Sequence, residues 1–388
     1  MSESDHQPPS SEEPTPRAAH RRPRPTRSRS ARDLLRPTQF HESLLLAPPP
    51  SIQNAAVAGF QAALAVLIAV TTVHFSSWPH LVGFPALGAL AALFGRFASM
   101  RRRRSIVSIS AVLFVAAVFF PSVVQYAGAP MPVMIGLLAV CAGLATIAVS
   151  HWRLGGPGAT LFVFAVGAVL SGQVDTWLQI AQRTLATAWG AGLAVIVCLA
   201  TDHLRSQPVS TEAAPKLRSP PFRHQLIAAA RITAAAAAAA FVAHAAGWNY
   251  PAWAAIGATA VMLGGHLHIT MNRALQRMAG TVVGACIAWA ILAQSPSFWW
   301  VLTAIVLFQF VTEIIISYNY ALGQITITPM ALLMTHLAAP VADSNMPVER
   351  VLDTIVGAAI GIVFAVIFST ADDRAYLARR RAKLEARR

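Results

Sequence analysis

Three stretches of this chain place the same three residue types at the same spacing at the start of an apolar run: Arg183/Thr187/Gly190 in RTLATAWG, Arg277/Thr281/Gly284 in RMAGTVVG, and Arg350/Thr354/Gly357 in RVLDTIVG. On a helix such residues lie one above the other on one face. A guanidinium can hold a carboxylate through paired hydrogen bonds, and Thr and Gly deeper in the helix let two helices approach closely. A second polar stripe, Gln309, Glu313 and Ser317, repeats every four residues within FWWVLTAIVLFQFVTEIIISYNY. A carboxylate in such a run is costly unless it is paired, protonated or turned to water, which makes Glu313 a candidate for ion pairing or proton coupling. Arg231 is the cation whose depth in its own run suits a pair with Glu313.

These positions need elements to carry them. Apolar residues make up 55% of the chain and charged residues 12%, more apolar surface than a water-soluble fold can hide, so an all-α polytopic membrane protein is expected. Apolar runs fall near 55–75, 78–98, 105–124, 131–151, 157–172 and 179–200, and again near 225–246, 250–267, 275–294, 298–318, 321–339 and 349–370. With roughly 20 residues needed per crossing, that is about 12 transmembrane helices in two homologous six-helix halves. The second and fifth runs are short enough to be tilted or re-entrant.

The halves align: WPHLVGFPALGALAALFGR from Trp78 lies over YPAWAAIGATAVMLGGHLH from Tyr250, and Arg104/Ser108/Ala111 then falls on Arg277/Thr281/Gly284. The motif thus opens spans three, six, nine and twelve. Spans three and nine start on one side of the membrane and six and twelve on the other, which suggests a 3+3 inverted repeat within each half. The expected organisation is a disordered basic cytoplasmic tail at 1–50, a membrane half at 51–203, a cytoplasmic linker at 204–223, a second half at 224–371 and a basic cytoplasmic tail at 372–388.

The formal net charge of +14 comes from arginines in the tails and in short loops such as MRRRRS and MNRALQR. This is the positive-inside pattern of a multi-pass protein of the cell (inner) membrane with both termini cytoplasmic, and the tails would touch anionic lipid, not nucleic acid. Arg277 on the inside serves topology. Arg183 and Arg350 fall on the outer side at helix N-termini, where both the inside rule and the macrodipole disfavour them. Either they are ion-paired, Arg183 with Asp175 and Arg350 with Asp343, Glu349 or Asp353, or they draw an anionic substrate to the membrane mouth. Thr187, Gly190, Thr281, Gly284, Thr354 and Gly357 read as helix-packing positions.

The remaining polar positions are less distinctive. Asn319, Tyr320, Thr326 and Thr328 follow at an expected cytoplasmic turn, with side chains suited to a carboxylate or phenol, and Arg153 in HWRLGGPGAT is the first-half counterpart of Tyr320. The alanine run 234–240 should be buried against other helices. His266 and His268 would diverge by roughly 200° on a helix and do not read as a metal pair. Trp78, Trp248, Tyr250, Trp299 and Trp300 suit an interfacial belt. Cys141, Cys198 and Cys286 lie within apolar runs and imply no disulfide.

The pattern NYPAWAAIGATAVML, NRALQRMAGTVVGA, then a Glu followed by NYALGQITITPMALL and ERVLDTIVGAAIG resembles the integral-membrane domain of the fusaric-acid-resistance-like (FUSC) exporters. Their aromatic acid exporters and, more distantly, the plant aluminium-activated malate channels share that domain. The resemblance is strongest from about Arg223 to Thr370 and implies that the Asn319–Tyr320 segment belongs to a transport pathway. Many family members carry a large cytoplasmic domain for which this chain has no room.

No Walker A, HExxH or GxSxG motif is present, so neither ATP-driven transport nor hydrolysis is expected, and no cofactor. The reading is a transporter that exports small organic anions, aromatic or hydrophobic carboxylates, driven by a proton gradient. A passive anion channel and a non-transporting membrane scaffold are the alternatives. A homo-oligomer or an envelope partner is compatible with the sequence. With both termini cytoplasmic, a green fluorescent protein fused after Arg388 should fluoresce in bacterial cells, whereas alkaline phosphatase at the same place should be inactive; the reverse pattern would invert the topology.

Overall fold

A computed structural model describes residues 26–36, 39, 42–43, 45–46, 51–206, 221–338 and 345–385. Residues 1–25 of the expected basic tail, 207–220 of the expected linker, and Asp343 lie outside the described residues. Among the described residues the regular elements are helices: α1 (Arg27–Leu34), α2 (Ile52–His74), α3 (Gly83–Ala89), α4 (Met100–Tyr126), α5 (Met131–His151), α6 (Thr160–Leu170), α7 (Trp177–Thr201), α8 (Phe222–Ala245), α9 (Pro251–Met262), α10 (Leu267–Leu292), α11 (Phe298–Ile315), α12 (Tyr320–Ala338), α13 (Met346–Ile367) and α14 (Ala371–Glu385).

Length sorts these helices. Eight of them, α2, α4, α5, α7, α8, α10, α11 and α13, are long and apolar enough to cross a membrane, so the chain is a polytopic membrane protein. By contrast α3, α6 and α9 are short apolar helices. The 12 residues of α9 rise only ~18 Å against a hydrocarbon layer of ~30 Å. The short helices fall on the second and fifth runs of the first half and the second run of the other. The remaining counterpart, α12, has 19 residues with Pro329 inside it.

Helix starts follow local chemistry. Ser51 and Thr176 accept hydrogen bonds from the amides of Asn54 and Gln179 and so cap α2 and α7. Proline in the first turn opens α5, α9 and α13, where no amide partner is needed.

A helix too short to span must be gripped by its neighbours, and the motif glycines provide the grip. Gly190 of α7 lies directly on the Pro85 carbonyl of α3, and Gly357 of α13 on the Ala254 carbonyl of α9; a Cβ at either position would overlap that backbone. A Cβ on Gly284 of α10 would sit 2.7 Å from Thr328 Cβ and 2.9 Å from the Ile325 carbonyl of α12. Thr187, Thr281 and Thr354, one turn before each glycine, are fully buried. In the degenerate first-half copy the buried cation is Arg103 and not Arg104, which is exposed together with Ser108. The alignment is therefore displaced by one residue there, within a run of four arginines.

Contacts between the expected halves are reciprocal. Gly59 of α2 packs on Phe310 and Glu313 of α11, and Gly143 of α5 packs on Thr233 and Ala229 of α8. Two apolar cores result, and each draws on both sides of the 207–220 stretch. Val66, Leu90, Phe114 and Phe162 meet Leu302 and Leu333 in one; Ile135, Leu138 and Val166 meet Ala236, Trp253 and Leu332 in the other. In the alanine run, Ala235, Ala236, Ala239 and Ala240 are fully buried.

Both tails carry helices. Residues 27–34, read as part of a disordered segment, form α1, and much of the basic 372–388 tail forms α14. Leu34 and Leu377 pack with Leu267, Met271 and Ala365 at one end of the bundle. Asp33 pairs with Arg381 at 3.2 Å and Glu42 with Arg380 at 3.1 Å. Gln276 donates to the Ser43 carbonyl at 2.6 Å, and Asn319 to the carbonyls of Ser43 and Leu45, each at 3.1 Å. The two tails thus clasp each other over this end. Their acidic residues meet basic ones there, which a reading of net charge alone misses.

Gly136 of α5 has nothing within 4 Å of a Cβ position and provides a control for the crossings. Gly190→Leu and Gly357→Leu should each destabilise the detergent-purified protein by about 1–3 kcal/mol or prevent assembly. Thermal unfolding reads this, and Gly136→Leu should leave the transition unchanged.

Candidate functional site

At the end of the bundle opposite the clasp, a cavity of about 310 Å³ opens between the expected halves. Its walls come from α3, α6, α7, α9 and α12, the short helices with their neighbours, and include Phe84, Arg183, Tyr250, Trp253, Ile256 and Thr335. Arg183 projects from the second turn of α7. Its Nη2 donates to the Gln173 carbonyl at 2.5 Å, its guanidinium carbon lies 5.3 Å from the Phe84 ring centre, and its buried Nη1 has no hydrogen-bond partner. Asp175, the partner expected from sequence, contributes its charge from nearby, while the hydrogen bond goes to Gln173. Tyr250 and Trp253 stack with ring centres 4.2 Å apart and line the same space, so Tyr250 is a wall residue and not only part of an interfacial belt. A guanidinium among aromatic and aliphatic surfaces suits an anion with an apolar body.

A second polar cluster is buried within the second half. Arg277 and Arg350, expected on opposite sides of the membrane, are each only 2% exposed and within electrostatic reach of one another. Arg277 donates from Nη1 to the Tyr320 hydroxyl at 2.9 Å, and Arg350 lies over the Trp253 ring at 5.1 Å. Arg273 covers the Tyr320 ring at 5.7 Å. Of the acidic partners expected for Arg350, Glu349 instead accepts from the Asn249 amide and side chain at 3.1 and 2.8 Å. Asp353 is completely buried, and neither of its oxygens has a hydrogen-bond partner.

The Glu313 stripe is buried as its spacing suggested, with Gln309 1% and Glu313 5% exposed. The partner of Glu313 is Arg96 at 2.9 Å and not Arg231, which instead lies near the charge of Asp373. Arg96 belongs to a network that the sequence reading missed. Arg205 donates to the Arg96 and Ala98 carbonyls at 2.6 and 2.9 Å and pairs with Asp202 at 3.2 Å. Arg103 pairs with Asp202 at 3.7 Å and donates to Gln61 at 2.5 Å, and Gln61 donates to Thr201 at 2.7 Å. The one available signal was Asp202, a lone carboxylate closing an apolar run.

The other candidates separate. Asn319 binds the tail carbonyls and accepts from the Ala321 amide at 2.7 Å, so it both anchors the clasp and caps α12. Thr326 bonds Thr312 at 2.6 Å. The Ser317 hydroxyl is buried without a partner. Arg153 is exposed in a turn with φ of 50°. Thr146 of α5 bonds the Ala142 carbonyl of its own helix. His266 precedes α10 and does not lie on it, so its ring lies alongside that of His268, 6.1 Å away, instead of pointing apart.

Fold and site together define an all-helical membrane protein that buries charged side chains between its helices. Residues 236–364 match the family of fusaric acid resistance protein-like proteins, so the family resemblance read from the sequence is borne out over that segment. The chain is also similar to a protein of Bacillus subtilis (strain 168) described as uncharacterized membrane protein YvaC, with 37% identity over 112 residues. That stretch covers 29% of this chain and only 18% of the relative. No solved structure matches the chain.

Removing one partner of a buried pair leaves an uncompensated charge and costs up to about 3–5 kcal/mol, whereas replacing both by apolar residues is often neutral. Arg96→Met should therefore lower the thermal transition of the purified protein, and Arg96→Met combined with Glu313→Leu should restore most of it.

Proposed function

We propose that this chain is a cell-membrane transporter that exports small organic anions, aromatic or hydrophobic carboxylates, under a proton gradient. The observation that carries the reading is the cavity between the expected halves, where the unpartnered Nη1 of Arg183 meets the Phe84, Tyr250 and Trp253 rings. In this scheme the clasp end faces the cytoplasm and the cavity faces outward. The anion enters past Asn319, Tyr320 and Arg277 and leaves beside Arg350 and Arg183. Gln309, Ser317 and Thr326 offer hydrogen bonds along the way, and Arg153 and Arg231 add positive charge toward the inner side. The Arg96–Glu313 pair joins α11 to the loop after α3 across the two halves. Protonating Glu313 would break that bond and free the halves to rock, which couples proton entry to anion exit.

The same pair also favours a second reading, a passive anion channel, in which Glu313 only fastens the halves together. The two are separated in proteoliposomes loaded with radiolabelled benzoate, with and without an imposed pH gradient. A proton-coupled exporter should give gradient-dependent flux that falls at least tenfold in Arg183→Gln and becomes insensitive to the gradient in Glu313→Gln. Flux that follows only the benzoate gradient and survives Glu313→Gln would make the protein a channel. No flux of any tested anion would favour the scaffold reading and reject transport.

A further inference from the structure

The cluster around Arg350 is short of negative charge. Arg277 and Arg350 bring two guanidiniums into the interior of the second half, and Asp353 is the one carboxylate that acts on Arg350 without a hydrogen bond of its own. Nε and Nη1 of Arg350 and Nε of Arg277 are buried without partners, as are the hydroxyls of Thr281, Thr328 and Thr354. Buried donors are satisfied in nearly all folded proteins, and a buried charge is tolerated when it is paired. Asp353 follows Arg350 by three residues on α13, one turn along the same helix, yet it makes no ion pair with it. The donors therefore outnumber what the protein supplies to them, and the excess charge is positive.

We propose that Arg277 and Arg350, with the hydroxyls of Thr281 and Thr354 one turn along from them, form an internal binding site for one monovalent anion, a carboxylate or a halide, distinct from the cavity at Arg183. Both guanidiniums donate to the anion. Asp353 is a fixed competitor whose negative charge keeps the anion from being held too tightly. Trp253 connects the two sites: one side of its surroundings is the cavity wall, and Arg350 lies over its ring. Tyr320 holds Arg277 from the clasp end. The place of this site on a transport path rests on the transport reading; the binding itself does not.

The test is equilibrium binding to the full chain purified in detergent, read as the anion-dependent rise of the thermal unfolding midpoint. Sodium benzoate and sodium chloride are titrated separately at constant ionic strength against gluconate. The titrations are made in Arg183→Gln, which removes the cavity's guanidinium, so the response should saturate with one site. Against that background Arg350→Gln should weaken the apparent affinity by at least tenfold, and Asp353→Asn should strengthen it several-fold. A response to benzoate alone identifies a site for the transported acid; an equal response to chloride identifies a resident halide. If Arg350→Gln does not fold, the gain of affinity in Asp353→Asn still decides the matter. An unchanged affinity in Asp353→Asn, or no anion-dependent shift in Arg183→Gln, would overturn the proposal. Binding with these variant effects in a protein that gives no flux would instead reject the transport reading and leave the site standing.

Discussion

The structure depends on backbone touching backbone where α13 crosses α9 and α7 crosses α3. Between helices in lipid there is little hydrophobic force to draw them together, so close packing and hydrogen bonds must do it. Gly357 on the Ala254 carbonyl and Gly190 on the Pro85 carbonyl make the closest approaches in the two halves, and they hold helices that cannot reach across a bilayer alone. The cavity and second-half arginines Arg183 and Arg350 are placed by these crossings. The residue two turns before each glycine is an arginine, so the contact that fixes the short helix also fixes a guanidinium beside it.

Charge in the interior divides into two kinds. On the clasp side of the first half, Arg103, Arg205 and Arg96 are tied through Asp202, Gln61, backbone carbonyls and Glu313. This network joins its charges in ion pairs, although Nε of Arg103 and Arg205 and one oxygen of Asp202 are buried without a hydrogen-bond partner. In the second half, Arg277 and Arg350 keep donors unpaired beside an unpaired Asp353. The same residue types thus meet in ion pairs in one half and without an ion pair in the other.

Much of this was legible in the sequence because it is written in local patterns. The apolar runs locate the helices, the four-residue spacing of Gln309 and Glu313 gives their burial, and the motif glycines are contact points as small residues in membrane helices tend to be. What could not be read is long-range partnership. Arg96 and Glu313 are 217 positions apart, and Arg96 sits beside a basic run that topology alone explains. Four consecutive arginines conceal a one-residue register, which is why Arg103 and not Arg104 is the buried one. His266 and His268 were placed on a common helix that begins only at Leu267. Composition hid the clasp as well, since Asp33 and Glu42 are lone acids within a basic segment.

The clasp also has a temporal meaning. Asp33 and Arg381 lie 348 positions apart, and the chain is made from one toward the other. During synthesis Gln39 and Ser43 can meet Asn272 and Gln276 once α10 is made, but the salt bridges from Asp33 and Glu42 must await α14. These contacts therefore form only after every membrane-crossing helix has been made. A chain that stalls before α14 keeps Asp33 and Glu42 without those partners.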